Sequence, residues 1–193
     1  MGFLQNQETA FGSLAVVSPK LDSLISAAVV VNACDATTGW AAKSNDTTTL
    51  AVSDTRVEGT KSMSFAKVNG AANTKFGAIA RTVSLDLSAC KPWDCINFYI
   101  YLSALTDVAR AYIRIGTDVT NYVEYTFADT TLTAAIFNRC TLPLHKFTAS
   151  AGTCVNWAAV TYVEVGAEFD AENNALAGIL VDDIKVVPSL LTT

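Results

Sequence analysis

The all-β character of the chain is plainest in residues 110–127, which read RAYIRIGTDVTNYVEYTF. Apolar and polar side chains alternate in both halves, so that Ile113 is out of phase with Tyr112 and Arg114. Because successive side chains of a strand point to opposite faces, each half is predicted to be a half-buried strand. The turn residues Gly116–Asp118 between the halves predict a hairpin.

The same period of two recurs on both sides of this hairpin. The breaks between runs are rich in Asp, Asn, Gly, Thr and Ser, as turns require, and residues 170–174 predict a second hairpin loop. Strands at this spacing without intervening helices favour an all-β fold, an antiparallel β-sandwich of the jelly-roll kind. The predicted strands are Ala27–Ala33, Thr48–Ser53, Lys61–Val68, Ala78–Leu85, Ile96–Leu102, Arg110–Gly116, Asn121–Phe127, Ala135–Leu144, Thr161–Phe169 and Leu176–Val187.

The beginning of the chain lacks this alternation. Residues 1–26 are mixed in character and contain Gly2, Gly12 and Pro19. They are predicted to form an extended N-terminal arm, and residues 27–193 the sandwich domain.

Composition excludes several classes of protein. The chain is 51% hydrophobic and only 16% charged, a composition too apolar for intrinsic disorder. Its length of 193 residues fits one domain. A net charge of −5 with a single His argues against nucleic-acid binding, because phosphate contacts need clustered Lys and Arg. The longest apolar stretch, residues 27–31, is far short of the roughly 20 residues that span a bilayer.

The first residues predict a chain made and kept in the cytosol or released by lysis, because they carry no base and no apolar signal-peptide core. Five cysteines are an odd number for a disulfide framework. Cys90 with Cys95, and Cys140 with Cys154, bracket loops that oxidation would close. Without a secretion signal, reduced thiols are favoured.

Several segments occur in a characteristic order. The segments are Ala33–Trp40, Val57–Phe65, Val83–Ser88, Ile96–Leu102, Trp157, Val163–Phe169 and Leu180–Val186. Their succession resembles the jelly-roll, carbohydrate-binding-module-like domains of polysaccharide-degrading enzymes and of many phage virion proteins, over about residues 33–187.

The resemblance implies a structural calcium ion near the join of the first and last strands. The ligands carried over onto this sequence are Asp35, Glu58 and Asp183, with Asp182 as the alternative. Calcium takes six to eight oxygen ligands, and an inward-facing Asp in an apolar sandwich needs a partner. The alternative is that these are turn or surface carboxylates and that no metal binds.

A second candidate site is a face rich in Tyr, Arg and Glu, present if the strands that carry these residues share a sheet. Such a face suits a protein interface or glycan binding, while an ordinary solvent face is the third possibility. Trp93 lies in a predicted loop and is the best single exposed aromatic, whereas Trp40 and Trp157 are expected to cap the core. The residues of the face are Tyr99, Tyr101, Tyr112, Arg114, Tyr122, Glu124 and Tyr162.

Catalysis finds little support in the sequence. His145 is the only His and has no acid–base partner nearby, and no nucleophile-elbow, P-loop or zinc-protease motif occurs. A glycosidase needs two carboxylates, which Glu124, Glu164 and Glu168 would have to supply. A non-enzymatic protein is predicted.

Together these observations and the resemblance favour a structural protein of a phage virion, a capsid decoration or auxiliary protein. It would bind the particle through its arm and sandwich faces, after synthesis in the host cytoplasm. Its partners would be the major capsid protein or tail proteins and copies of itself, not nucleic acid or membrane. The alternative is a carbohydrate-binding module or a virion-borne host-surface adhesin that binds glycans.

Overall fold

Strands dominate the computed structural model, which describes residues 28–147, 149–151 and 155–189. No helix in these ranges is long and apolar enough to cross a membrane. Each of the ten predicted strands is present, with ends shifted by a few residues. The strands are Val29–Asn32 (β1), Trp40–Ala42 (β2), Thr47–Ser53 (β3), Ser62–Lys67 (β4), Phe76–Leu85 (β5), Cys95–Leu102 (β6), Val108–Gly116 (β7), Tyr122–Ala128 (β8), Phe137–Pro143 (β9), Ala149–Ala151 (β10), Val160–Phe169 (β11) and Leu176–Val187 (β12).

The strands form two antiparallel sheets. Sheet 1 has the order β3-β4-β12-β6-β9, and β1 pairs with β12 beside this path. Sheet 2 has the order β10-β8-β7-β11-β5-β2, in which residues 110–127 form the predicted β7–β8 hairpin. The antiparallel sandwich predicted from the alternation is therefore confirmed.

The apolar core lies between the two sheets. Phe98 of sheet 1 meets Phe127 of sheet 2 edge to face, with ring centroids 5.6 Å apart. Ile100 and Ile113, from opposite sheets, are fully buried in the same cluster. Each such side chain contributes about 1.5–3 kcal/mol through burial, which is why the inward positions of every long strand are apolar.

Two details of the predicted topology differ from the structure. Residues 170–174 are not a hairpin loop, because β11 belongs to sheet 2 and β12 to sheet 1, so the segment crosses between the sheets. Turn residues signal that the chain reverses but not which strand follows in the sheet. The strands Trp40–Ala42 and Ala149–Ala151 were not predicted, since three residues are too few to show a period. The predicted arm, residues 1–26, lies outside the described residues.

A buried ammonium group joins three connections at one end of the sandwich. Lys67 of β4 is 1% exposed, and its Nζ donates to the carbonyl oxygens of Val68, Glu172 and Asn174 over 2.5, 3.1 and 3.2 Å. Nζ also lies 3.8 Å from a carboxylate oxygen of the fully buried Asp46.

Asp46 in turn organises the 68–74 loop. Its carboxylate accepts the amides of Ala72 and Thr74, both over 3.0 Å. The Thr74 amide above all holds the pKa of Asp46 below its ordinary value, so the carboxylate stays charged opposite Lys67. A Cβ at Gly70 would lie 2.2 Å from Asp46 Oδ1, so this close approach requires glycine.

Candidate binding face

Three charged side chains stand in one row across the outer face of sheet 2. Arg114 of β7 lies in register with Glu124 of β8 and with Glu164 of β11. Its Nε donates to Glu124 Oε2 over 2.6 Å, and its Nη1 donates to Glu164 Oε1 over 2.8 Å. Directly opposed side chains of an antiparallel pair are neighbours, so the register of β7 with β8 brings Glu124 to Arg114 and the register of β7 with β11 brings Glu164 to it.

Two tyrosines and a lysine complete the surroundings of Glu164. Tyr112 donates its hydroxyl to Glu164 Oε1 over 2.7 Å, and Tyr162 donates to Glu164 Oε2. Lys43 Nζ donates to the Tyr162 hydroxyl over 2.9 Å and lies 3.3 Å from Glu164 Oε2. Burial, reinforced by the Glu164 carboxylate, raises the pKa of Tyr112 and of Tyr162, so both phenols remain neutral donors.

Aromatic rings surround the Arg114 guanidinium. Its central carbon lies 4.7 Å from the ring centroid of Tyr112, 4.8 Å from that of Tyr122 and 5.1 Å from that of Phe76. Attraction between a cation and the π face of a ring is strengthened where water is excluded. Arg114 is therefore fixed by carboxylates within its plane and by rings around it.

A second arginine extends the network toward solvent. Arg110 donates to Glu168 Oε2 over 2.5 Å, and its Nη1 lies 3.0 Å from Glu124 Oε1. Its side chain is 31% exposed, as is that of Lys43. Arg110, Arg114 and Lys43 thus place three cations against the three carboxylates of Glu124, Glu164 and Glu168.

The outer face of sheet 2 carries five of the predicted residues, but most of them lie beneath its accessible surface. These five are Tyr112, Arg114, Tyr122, Glu124 and Tyr162. Tyr112 is fully buried, and the side chains of Glu124 and Glu164 are 3% and 1% exposed. Alternation places a side chain on the outer side of a sheet, but it does not reveal whether neighbours cover it. These groups position others, and the more accessible side chains of the face include Lys43, Arg110, Tyr122 and Phe76.

Two of these accessible residues were missed from the sequence. Phe76 precedes the predicted start of β5 at Ala78, because Gly77 interrupts the alternation. Lys43 directly follows the three-residue strand β2, which showed no period. Their role follows from the pairing of β2 and β11 with β5, which no local pattern contains.

Tyr99 and Tyr101 do not belong to this face. They lie on β6, which is in sheet 1, so the premise that all these strands share one sheet was wrong. On the outer side of sheet 1 the ring of Tyr101 packs against Phe137, with centroids 5.7 Å apart. The molecule therefore has two separate polar-aromatic faces.

The carboxylates predicted to bind calcium lie near the join of β1 and β12, but most are already paired. Asp35 Oδ1 accepts the amides of Thr60 and Lys61 over 2.6 and 2.7 Å, which lowers the pKa of Asp35. Glu58 and Asp183 contact Lys185 Nζ over 3.3 and 2.5 Å. Along this stretch the lysine ammonium supplies the positive charge.

One carboxylate oxygen at this join lacks a partner. Asp182 is fully buried, and its Oδ2 accepts the amides of Val57 and Glu58 over 2.7 and 3.0 Å, while Oδ1 accepts no hydrogen bond. Burial raises the pKa of Asp182 in spite of the two amides. Among the described residues no three His, Cys, Asp or Glu side chains are grouped to hold a metal. Calcium binding stays a prediction of the resemblance.

The aromatic and thiol predictions concern the loops. Trp93 is 46% exposed in the loop before β6, as predicted, and Trp40 is buried in the core. Trp157 is half-buried against the core cluster. Cys34, Cys90, Cys95 and Cys140 are free thiols, and Cys154 lies outside the described residues.

Comparison with known proteins defines the fold. No protein-family model matches the chain, and the curated proteins give no sequence match. Among solved structures, the family 11 carbohydrate-binding module of Clostridium thermocellum, in complex with a β-1,3-1,4-mixed-linked tetrasaccharide, is 12% identical with a TM-score of 0.57. The match covers 84% of this chain and 96% of the module.

Two other structures give the same result. The family 30 carbohydrate-binding module of a Clostridium thermocellum cellulosomal cellulase is 13% identical, covers 84% of this chain and 98% of its own, and has a TM-score of 0.59. An exo-β-agarase is 8% identical with a TM-score of 0.57, and the match covers 83% of this chain but 24% of the agarase. The chain therefore has the jelly-roll β-sandwich fold of carbohydrate-binding modules.

Proposed function

We propose that the domain binds a carbohydrate on the outer face of sheet 2. The observation that carries this proposal is the Glu124–Arg114–Glu164 row, which holds its side chains in one geometry. Removing two carboxylates from water has a large desolvation cost that an ordinary solvent-facing sheet does not incur. A preorganised polar surface of this kind loses little freedom when a ligand binds.

The accessible rim of the row would make the contacts. Tyr122 and Phe76 present aromatic rings, which suit the apolar faces of sugar rings. Arg110 and Lys43 present N–H donors that suit hydroxyl oxygens. The fold shared with carbohydrate-binding modules supports this assignment over the alternative of a protein interface.

A binding experiment tests the proposal. The full chain is titrated with the β-1,3-1,4-mixed-linked tetrasaccharide and screened on an array of plant, algal and bacterial glycans. The double variant Arg110→Ala, Tyr122→Ala is expected to weaken binding at least about tenfold, equivalent to about 1.4 kcal/mol.

The matched control is Tyr99→Ala, Tyr101→Ala on the outer face of sheet 1, which is expected to bind like the unmodified chain. Loss of binding in the control with full binding in the first variant would assign the glycan to sheet 1. An array without any bound glycan would contradict carbohydrate binding altogether.

The proposed role is non-catalytic. A glycosidase needs one protonated carboxyl group as the acid and a second carboxylate that can reach the sugar. Glu124 and Glu164 are instead both ion-paired with Arg114 and buried. They support the face and do not contact the ligand.

The virion role remains a prediction. The solved structures named above are carbohydrate-binding modules and an agarase, and none of them connects this chain to a capsid, a tail or copies of itself. Mass spectrometry of purified phage particles tests this hypothesis, because a decoration protein must be present in stoichiometric amounts. Its absence from particles would leave glycan binding as the role of the domain.

A further inference from the structure

An apolar cavity of about 240 Å³ opens at one end of the sandwich, away from both sheet faces. Its floor includes the buried side chains of Leu87 and Leu144. Trp157, Phe147 and His145 contribute rings to its lining. Phe147 is 47% exposed, so an aromatic surface leads from solvent into the cavity.

The walls of this cavity are fixed by backbone hydrogen bonds. The Leu87 amide donates to the Trp157 carbonyl oxygen over 2.7 Å, which joins the connection after β5 to the turn before β11. The Leu144 amide donates to the Asp94 carbonyl oxygen over 2.7 Å, and the end of β9 is thereby joined to the loop before β6. The cavity is therefore formed before any ligand arrives.

The hydrogen bonding of His145 sets its tautomer. Its Nδ1 lies 2.8 Å from the Pro92 carbonyl oxygen, which can only accept, so Nδ1 carries the proton. In the neutral ring Nε2 is then an acceptor, and it makes no hydrogen bond to the described residues. His145, which lines the cavity together with mainly apolar residues, thus has an available acceptor in Nε2.

The volume and the lining limit the ligand. An apolar cavity of about 150 Å³ holds benzene, whereas drug-sized ligands need about 300 Å³ or more. A volume of 240 Å³ therefore fits one six-membered ring with a small substituent. A sugar ring fits poorly, because its several hydroxyl groups would lose water against a lining that consists mainly of apolar side chains.

We propose that this cavity binds a single hydroxylated aromatic ring of the phenol class. The ring lies against Trp157 and Phe147, and its hydroxyl group donates to His145 Nε2. The site is distinct from the glycan face on sheet 2 and does not depend on it. Phenolic groups that accompany polysaccharides and free phenols share this chemistry.

The test uses 4-methylphenol as the probe, with toluene and glucose as comparisons. His145 is the only histidine, so its imidazole NMR signals report on the cavity without further labelling. Addition of 4-methylphenol is expected to shift these signals saturably, with binding at least tenfold tighter than that of toluene and no response to glucose. Equal binding of toluene would overturn the hydrogen bond to His145, and saturable binding of glucose there would overturn the ligand class.

Two variants separate the parts of the proposal. His145→Phe keeps a ring in the wall but removes the acceptor, and it is expected to reduce the preference for 4-methylphenol over toluene to less than threefold, read from ligand-observed NMR. Cys90→Leu fills the cavity and is expected to abolish binding of both. If Cys90→Leu binds 4-methylphenol unchanged while its melting temperature shows that it is folded, the cavity is not the site.

The test also distinguishes this site from the glycan face. The Arg110→Ala, Tyr122→Ala variant is expected to bind 4-methylphenol normally, whether or not it binds glycan. If Cys90→Leu fails to fold, protection of the Cys90 thiol from iodoacetamide by 4-methylphenol in a Cys95→Ser background gives the same answer. Unchanged alkylation at saturating probe would overturn the proposal.

Discussion

Arg114 is the residue on which the geometry of the sheet 2 face depends. It is 14% exposed and neutralises two carboxylates that are each nearly inaccessible to water. Removing one partner of a buried ion pair leaves an uncompensated charge, which is more costly than the pair itself is stabilising. Arg114 is therefore the most buried cation of a network in which Arg110 and Lys43 also pair with these two carboxylates.

We expect Arg114→Met to lower the free energy of unfolding by about 3 kcal/mol, because Glu124 and Glu164 lose their shared cation and keep only the more exposed Arg110 and Lys43. The measurement is urea denaturation followed by tryptophan fluorescence. Arg110→Met is the matched control, and its more exposed ion pairs are expected to contribute about 1 kcal/mol or less. Equal losses of unfolding free energy in the two variants would show that Arg114 stabilises the domain no more than the more exposed Arg110 does.

At the scale of strands, the sequence predicted what is local and missed what is not. The alternation of residues 110–127 predicted both strands of the β7–β8 hairpin and the outward side of Tyr112, Arg114 and Glu124. It did not predict that β6, with Tyr99 and Tyr101, belongs to the other sheet, because alternation assigns a side of a strand and not a sheet. Sheet membership depends on contacts between strands far apart in the sequence.

The same limit applies to the candidate sites. The row of charges needs the pairing of β11 with β7, whose partners Glu164 and Arg114 are 50 residues apart. The wall of the end cavity needs Leu87 to meet Trp157 across an even longer separation. The alternation of the strands indicated that Tyr, Arg and Glu occupy outer positions, but only the fold shows which of them water and ligands reach.

A prediction about the connections between strands concerns the Lys67 junction. We give this name to Lys67 together with Asp46, Val68, Glu172 and Asn174, which its Nζ contacts. Lys67→Met keeps a side chain of similar length but leaves three carbonyl oxygens and the Asp46 carboxylate without a cation. We expect a loss of about 3–5 kcal/mol in the free energy of unfolding, as for other buried charges left alone. Hydrogen exchange in residues 170–174 is expected to increase as well.

Lys75→Met is the control for this substitution. Lys75 is exposed and directly follows the 68–74 loop. Its replacement is therefore expected to change the free energy of unfolding by about 0.5 kcal/mol or less. Unchanged exchange in residues 170–174 of Lys67→Met would show that the ammonium does not hold this connection.

At the scale of the whole molecule, the sandwich separates three surfaces that differ in chemistry. The outer face of sheet 2 is charged and aromatic, the outer face of sheet 1 carries Tyr99 and Tyr101, and the end of the sandwich holds the apolar cavity. The rigid core between the sheets keeps these surfaces at fixed positions. Ligands of different kinds can therefore be tested one surface at a time.

A metal ion would act on the stability of the whole domain, and its removal tests the calcium prediction. If calcium binds through the buried Asp182, a chelator is expected to lower the melting temperature by several degrees, at about 2–4 °C for each kcal/mol in a chain of this size. Asp182→Asn should remove that response. A melting curve that is the same with chelator and with added calcium would contradict the prediction and would leave Lys185 as the cation of this join.

The ammonium of Lys67 supplies by mutation and inheritance what other proteins obtain from a bound metal ion. A connection held by a dissolved metal ion depends on the ion content of the medium. This connection is held by a side chain, so its cation is encoded in the sequence. Neither dilution nor a chelator can remove the Lys67 ammonium. A single codon change that replaces Lys67 with a shorter residue would leave the buried Asp46 carboxylate dependent on a cation from solution.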